Sequence, residues 1–403
     1  MYFCNLNRFF CSVAIALVAG TFASAQDKLE NARAVLEREG FANIRTADAG
    51  SKYLLTIQND AWKLQASGIA AAIRTLEKEG VLEDKAVEII VTDYDVPQVT
   101  LKYDPTLGDW KATHKVDRED WKLVSRQAKT ASTFGKVDIS VYPQISLMNL
   151  IITQVYQSLW QLNPAVEVSL WPGGKLSYQV KIPIYNDGYG KRESRVHPGL
   201  ITASQRFRIP YADIVGKASA GVFTNNRYGL GVEASRRFDF APWMWLEGSF
   251  ALLGLCYWDG FVFHVDNDLA PYWSMGGGFY VPQLETSFTG RVHKFLLDDY
   301  GIKCEMIRHF RKCSIGFYLE KGLNSYAHTN GGFRFSIALP PYRYKRNGYI
   351  PRVGPTGNIG MTYNANNEQR WYRETKFEAS DNITTSNAFN PYYIEKEIKQ
   401  LNK

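Results

Sequence analysis

Past its first 25 residues, this 403-residue chain has no long apolar run. The nearest approach is SFALLGLCYW, Ser249 to Trp258, about half of the roughly 20 residues a spanning helix needs. That length speaks against a helical membrane protein. Cysteine is scarce as well. Cys4 and Cys11 fall in the first 25 residues, and Cys256, Cys304 and Cys313 are odd in number and irregularly spaced. That pattern gives no disulfide framework and no zinc site. Catalytic signatures are missing too. The six histidines, among them His293 and His309, are scattered, and no H-E-x-x-H occurs. Ser249 in EGSFA lacks the second glycine of a nucleophile elbow. Gly276-Gly277-Gly278 opens no helix and has no Lys-Ser/Thr partner, so it is not a phosphate loop. Asp298-Asp299 and Asp266-Asn267-Asp268 read as turns; the second lacks the glycine and distal glutamate of a calcium loop. We assign no catalytic, cofactor-binding or metal residue and expect no enzyme.

Residues 1–25 form a segment apart. Arg8 precedes the apolar run Phe9 to Phe22, and Ala23-Ser24-Ala25 supplies a small-residue cleavage site before Gln26. This is the plan of a Sec signal peptide, with no lipid-acceptor cysteine after the cleavage site. The formal net charge of +7 becomes +6 once Arg8 is removed, a mild bias toward anionic partners.

Beyond the signal, residues 26–104 read as a small α/β unit expected to fold alone in the periplasm. Leu29, Ala32, Val35 and Leu36 repeat at helical spacing before Gly40, and Ile69, Ile73 and Leu76 do so before Gly80. FANIRTAD and KYLLTIQND form one strand pair; KAVEIIVTDYD and VPQVTLKYD form another. Residues 105–135 read as a linker with a short helix near Arg118–Ala128. From residue 136 to 340 a period of two takes over, and residues 341–403 read as a C-terminal strand and polar tail ending in a helix.

The period of two is clearest in KLSYQVKIPIY. Leu176, Tyr178, Val180, Ile182 and Ile184 share one face; Lys175, Ser177, Gln179 and Lys181 share the other. DISVYPQI, AVEVSLW, LGVEAS, SIGFYLE and GFRFSIAL repeat the scheme between turn signals. The segment holds roughly 14 strands, within a bracket of about 12–16, at a spacing that fits outer-membrane strands of about 9–11 residues. The expected fold is therefore mainly β: an antiparallel outer-membrane β-barrel with a small N-terminal α/β periplasmic domain. A β-sandwich is the alternative. The polar face holds few large hydrophobics with which to fill a sandwich core. Aromatics cluster near inferred strand ends, at Trp160 and Trp171, Trp243 and Trp245, Tyr257 and Trp258, Tyr272 and Trp273, where headgroup depth would suit them. The residues expected to face a lumen are Lys175, Lys181, Arg206, Arg208, Lys217, Glu233, Arg291, Lys303, Glu305, Glu320 and Arg334, with Glu167 and Glu285 beside them. A basic excess there favours anion passage, unless the charges pair inside a plugged barrel.

The phrases DISVYPQISL, NPAVEVSLWPG, KIPIYND, HPGLITASQRFRIP, NNRYGLGVE, LLDDYGIKCEMIRHF, IGFYLEKG, NGGFRFSIALPP and NPYYIEKEI, taken in order over roughly residues 136–398, resemble the YjbH-like (GfcD-like) exopolysaccharide family. The resemblance implies an outer-membrane β-barrel taking part in capsule-like polysaccharide export. It carries over no catalytic residue and no cofactor. The implied partners are outer-membrane lipid, an anionic or neutral polysaccharide and periplasmic export proteins, without nucleic acid. The implied location is the bacterial outer membrane after Sec export. A general outer-membrane porin or channel and a secreted sugar-binding β-sandwich are the alternatives.

Overall fold

The computed structural model describes residues 27–83, 85–149, 156–296, 299–323, 329–339, 343–364, 372–381 and 388–401. The segment 1–25 read as a signal peptide, Asp298 and His328 lie outside the described residues.

The N-terminal unit is a five-stranded sheet in sequential order: β1 (Phe41–Asp48), β2 (Lys52–Asn59), β3 (Ala86–Asp93), β4 (Val96–Asp104) and β5 (Asp109–Thr113). β2 and β3 are parallel, so the chain crosses over through α2 (Gln65–Lys78); the other neighbours are antiparallel hairpins. KYLLTIQN and AVEIIVTD are buried along nearly their whole length because both sheet faces are covered. On one face lie α1 (residues 27–39), α2 and, from the far end of the sequence, α4 (Pro391–Leu401). Leu36, Ile69, Ile73, Ile394 and Ile398 share one core with Ile57, Ile89 and Val99. On the other face α3 (Arg118–Ser125) packs Val124 against Leu54 and Ile90. Asp117 caps α3 by accepting from the amides of Glu119 and Asp120. The reading of 105–135 as a linker is thus corrected: β5 completes the sheet and α3 covers it. The tail is corrected likewise, since α4 belongs to the N-terminal core.

The second sheet has fifteen strands. In chain order they are β6 (Val137–Asn149), β7 (Tyr156–Trp171), β8 (Gly174–Asp187), β9 (His197–Ile209), β10 (Ile214–Phe223), β11 (Arg227–Arg237), β12 (Met244–Asp259), β13 (Val262–Val265), β14 (Ala270–Val281), β15 (Thr286–Lys294), β16 (Tyr300–His309), β17 (Cys313–Gly322), β18 (Asn330–Ala338), β19 (Arg352–Pro355) and β20 (Asn358–Asn364). Neighbours from β6 to β18 follow sequence order and are antiparallel, with β13 a short flap on β12. The two edges share one stretch of chain: β19 pairs parallel with β6, and β20 pairs antiparallel with β18. The Thr356 amide donates to Val141 on β6 at 2.9 Å, and the Leu339 amide reaches Gly357 at 3.2 Å.

Polarity across this sheet is inverted relative to a soluble protein. Ile184, Leu230, Leu246, Met275, Phe317 and Leu319 are exposed, up to 69% for Met275. Lys175, Ser177, Gln179, Lys303, Glu305, Glu320 and Ser336 are buried, Lys175 to 2%. Register aligns an apolar row across seven strands: Met244, Phe279, Phe288, Met306, Phe317, Phe333 and Tyr363. A sandwich buries its apolar face, so the sandwich reading does not describe this sheet. The polar side is not wholly polar, however. Phe223, Leu253, Tyr272, Phe295 and Phe377 form a small inner core, which the strand pattern did not predict. Tyr272 is therefore no member of an outer aromatic belt.

Connections at the two ends differ. Next to the N-terminal unit, the turns after β7, β9, β11, β14 and β16 leave between two and six residues. At the far end, the links run from three residues (β10–β11) and five (β15–β16) to nine (β8–β9) and ten (β12–β14, which includes β13). Gly173, in the tight turn after β7, needs its positive φ of 79°, and a Cβ there would lie 2.3 Å from the Arg206 carbonyl. Its amide donates to the Tyr94 carbonyl at 2.6 Å, joining the turn to the β3–β4 hairpin.

Candidate functional site

The polar face holds a segment of the chain itself. Residues 372–381, hereafter the strap, carry neither helix nor strand and run from the far end of the sheet to the end near the N-terminal unit. At the far end, the Tyr372 hydroxyl donates to Asp299 at 2.7 Å, and the Lys376 amide donates to Thr224 at 2.8 Å. Phe377 stands edge-on to Phe223, 4.8 Å between centroids. It fits there because position 231 is glycine; a Cβ at Gly231 would lie 2.4 Å from the Phe377 ring. Arg227 is fully buried and donates to the Thr375 hydroxyl.

Three strap carboxylates meet the basic residues. Glu374 accepts from Lys303 at 2.8 Å and lies 3.4 Å from Arg291 and 3.5 Å from Arg334. Glu378, with no exposed side-chain surface, lies 2.9 Å from Arg206 and 3.4 Å from Lys175, and accepts from the Ser204 hydroxyl. Asp381 lies 3.0 Å from Lys217. Sheet acids complete the network: Glu167 on Lys175 at 2.6 Å, Glu233 on Lys217 at 3.1 Å, Glu247 on Arg291 at 2.5 Å, Glu305 on Arg334 at 3.1 Å and Glu320 on Lys303 at 3.9 Å. Lys303 holds the Glu374 carboxyl well below the usual carboxylate range, against the opposing effect of burial and with help from Arg291 and Arg334. Burial works against the charge on Glu378 too, but Lys175, Arg206 and Lys217 outweigh it and its carboxyl also lies well below that range.

Contacts from one strap reach strands far apart in the sheet. Glu374 touches side chains of β15, β16 and β18, while its carbonyl accepts from Asn225 in the β10–β11 turn at 2.9 Å. A flat sheet cannot place β10 and β18 on one residue; this one curls around the strap.

Two residues expected on the lumen face do other work. Arg208 lies at the junction with the N-terminal unit, donating to the carbonyls of Gln98 (3.1 Å) and His114 (2.6 Å) and pairing with Asp213 at 3.0 Å. Glu285 sits in the β14–β15 turn at positive φ and pairs with Lys396 of α4. Lys181 lies on the polar face beside Gln179, near Gly199 and away from the strap. Sequence reasoning missed Glu374, Glu378 and Asp381. The available signal was three acids spaced four and three residues apart in a tail read only as polar.

The junction is charged throughout. Asp60 and Asp138 clamp Arg346 and Arg352, with Arg346 to Asp138 at 2.5 Å and Arg352 to Asp138 at 2.8 Å. Arg206 pairs with Asp93 at 2.7 Å and stacks over Tyr94 at 4.4 Å; burial pushes the Tyr94 hydroxyl up to about 12. A cavity of about 300 Å³ lies here, lined by Asp60, Lys136, Tyr142, Glu167, Arg352 and the strap's Ser380. His114, Asp213 and Asp239 approach one another, but Arg208 and Lys115 already pair with the two acids, at 3.0 and 2.8 Å. Burial lowers the His114 pKa, and the cluster reads as a charge-paired joint.

No family model matches the chain, and no curated protein matches it. Among solved structures, in-vitro folded OmpT, an outer membrane protein of Vibrio cholerae, is similar at 8% identity and a TM-score of 0.28, over 57% of this chain and 97% of that one. A form of OmpT lacking loop L8 is similar at 8% identity and a TM-score of 0.27, over 50% and 87%. Likeness this slight bears on neither the fold nor the function of this chain.

Proposed function

We propose that the chain is a β-barrel of the bacterial outer membrane that takes part in exopolysaccharide export, with its α/β unit in the periplasm. The inverted polarity of the fifteen-stranded sheet carries the reading. Exposed Ile184, Leu230, Met275 and Phe317 would cost free energy in water and are at home in lipid, while the charges lie inside. The two longest links, β8–β9 and β12–β14, lie away from the α/β unit, the side on which outer-membrane barrels carry their longer loops. The stretch Arg352–Asn364 is the seam. Seven strands from β6 to β12, five from β14 to β18 and this one make thirteen crossings, and an odd ring requires one parallel pair, the place β19 takes on β6.

Export of polysaccharide is supported by the ordered phrases that resemble the YjbH-like family and by the clusters of buried cations along the inner face. A general porin would leave those cations free, whereas the strap occupies them. Membrane fractionation and heat-modifiable gel mobility test the location: recovery of the full chain in the soluble periplasm overturns it. A deletion strain tests the role. It should lose surface polysaccharide while keeping its uptake of small solutes; the reverse pattern would indicate a porin.

A further inference from the structure

We propose that the strap Tyr372–Asp381 stands in for a transported chain, and that the cations it engages form a binding track for a carboxylate-bearing, uronate-type polysaccharide. This rests on the export reading above. Three observations point to it. First, the charged attachments are generic. Tyr372, Thr375 and Phe377 seat in contacts particular to the strap, but the cations are met by carboxylates, which any polymer carrying carboxylates along its length can supply. Second, the cations form two stations. Arg291, Lys303 and Arg334 converge on Glu374; Lys175 and Arg206 converge on Glu378, with Lys217, the register partner of Arg206, on the adjoining Asp381. Third, the cations sit over rings. Lys303 and Arg334 lie 5.5 and 5.2 Å from the Tyr318 ring, and Arg206 and Lys175 lie 4.4 and 5.6 Å from Tyr94. The rings hold these cations in place along the inner face, fixed to receive the carboxylates of a uronate chain.

An emptied track would leave buried cations short of partners, so either the strap or a polyanion should occupy it. The test uses the full chain in planar bilayers, wild type against the triple variant Glu374→Gln, Glu378→Gln, Asp381→Asn, with heat-modifiability confirming that both are folded. Wild type should conduct weakly and the triple variant at least about tenfold more. Oligogalacturonate should block the variant at a concentration about tenfold or more below that of a neutral maltodextrin of equal length, a difference of about 1.4 kcal/mol, and added salt should weaken the block. Equal conductance of the two proteins overturns the strap as occupant. Equal block by neutral and acidic sugars overturns the uronate track. Block by polyglutamate without block by oligogalacturonate makes the ligand an acidic peptide and likewise overturns it. Failure of either protein to insert is a failure of the barrel reading instead. Titration of oligogalacturonate into the detergent-solubilised variant then decides the sugar site, and absence of binding there overturns it.

Discussion

Glu378 is a carboxylate sealed from solvent and held by two cations and a hydroxyl. Removing one partner from such a group leaves the others uncompensated, at a cost of about 3–5 kcal/mol. Lys175→Met should therefore lower the thermal midpoint of the detergent-solubilised protein more than Lys181→Met, because Lys181 lies away from the strap; equal midpoints would refute the network's contribution. A second consequence is pH dependence. The folded pKa values of Glu374 and Glu378 lie below the 4.5 of a free glutamate. Their contribution is full at neutral pH, begins to fail near 4.5, and is lost as pH drops through the lowered values. Wild-type conductance should thus rise only as pH falls below about 4.5 and on through the lowered values. Glu167, Glu233, Glu305 and Glu320 face the same cations, so the strap's share is whatever the Gln/Asn triple variant no longer shows. The sheet side of these pairs was legible in the sequence, because a period of two assigns each residue a face. The strap side was not. Glu378 and Lys175 are 203 positions apart, and no local pattern links them.

At the level of elements, β8 offers the sharpest contrast. Val180 and Lys181 are adjacent and both half-buried, and strand alternation puts them on opposite faces. Val180→Arg would place a charge in lipid at about 2–4 kcal/mol near the midplane and should reduce outer-membrane assembly, while Lys181→Ala should assemble normally. Equal yields would contradict the lipid-facing assignment of that side. On β11, Gly231→Val should evict the Phe377 ring and free the strap without touching a charge, raising conductance as the triple variant does. Strand and helix positions came through well in regular stretches such as KLSYQVKIPIY, where burial alternates. They failed at β5 and α3. DWKAT is short, and α3 buries only Val124, so neither carries a long periodic signal.

For the whole molecule, the N-terminal unit is not contiguous in sequence. Ile394 and Ile398 of α4 fill its core, and the Ala112 amide donates to Glu395 at 2.8 Å. The stretch 26–104, which sequence alone suggests would fold by itself, lacks β5, α3 and α4. It should give a poorly dispersed amide spectrum, and residues 27–135 fused to 388–401 should restore dispersion. A well-dispersed spectrum from 26–104 alone would show that α4 is dispensable. The sequence showed two regions of different period but not that the second returns to complete the first, because closure by α4 is a tertiary event with no local signature.

The strap also has a history. In the proposed barrel the chain leaves β20, passes along the inside and ends in α4, which is locked into the unit at the opposite mouth. Chains seldom thread through closed loops. The order of events during biogenesis is therefore constrained: either the wall closes around a tail already in place, or the tail is drawn through a finished ring. A bulky, fast-folding protein fused after Lys403 separates the two. If the wall closes last, the fusion matures at the normal rate with α4 docked. If the tail enters last, the fused protein cannot pass, and the wall matures with α4 undocked and open to protease.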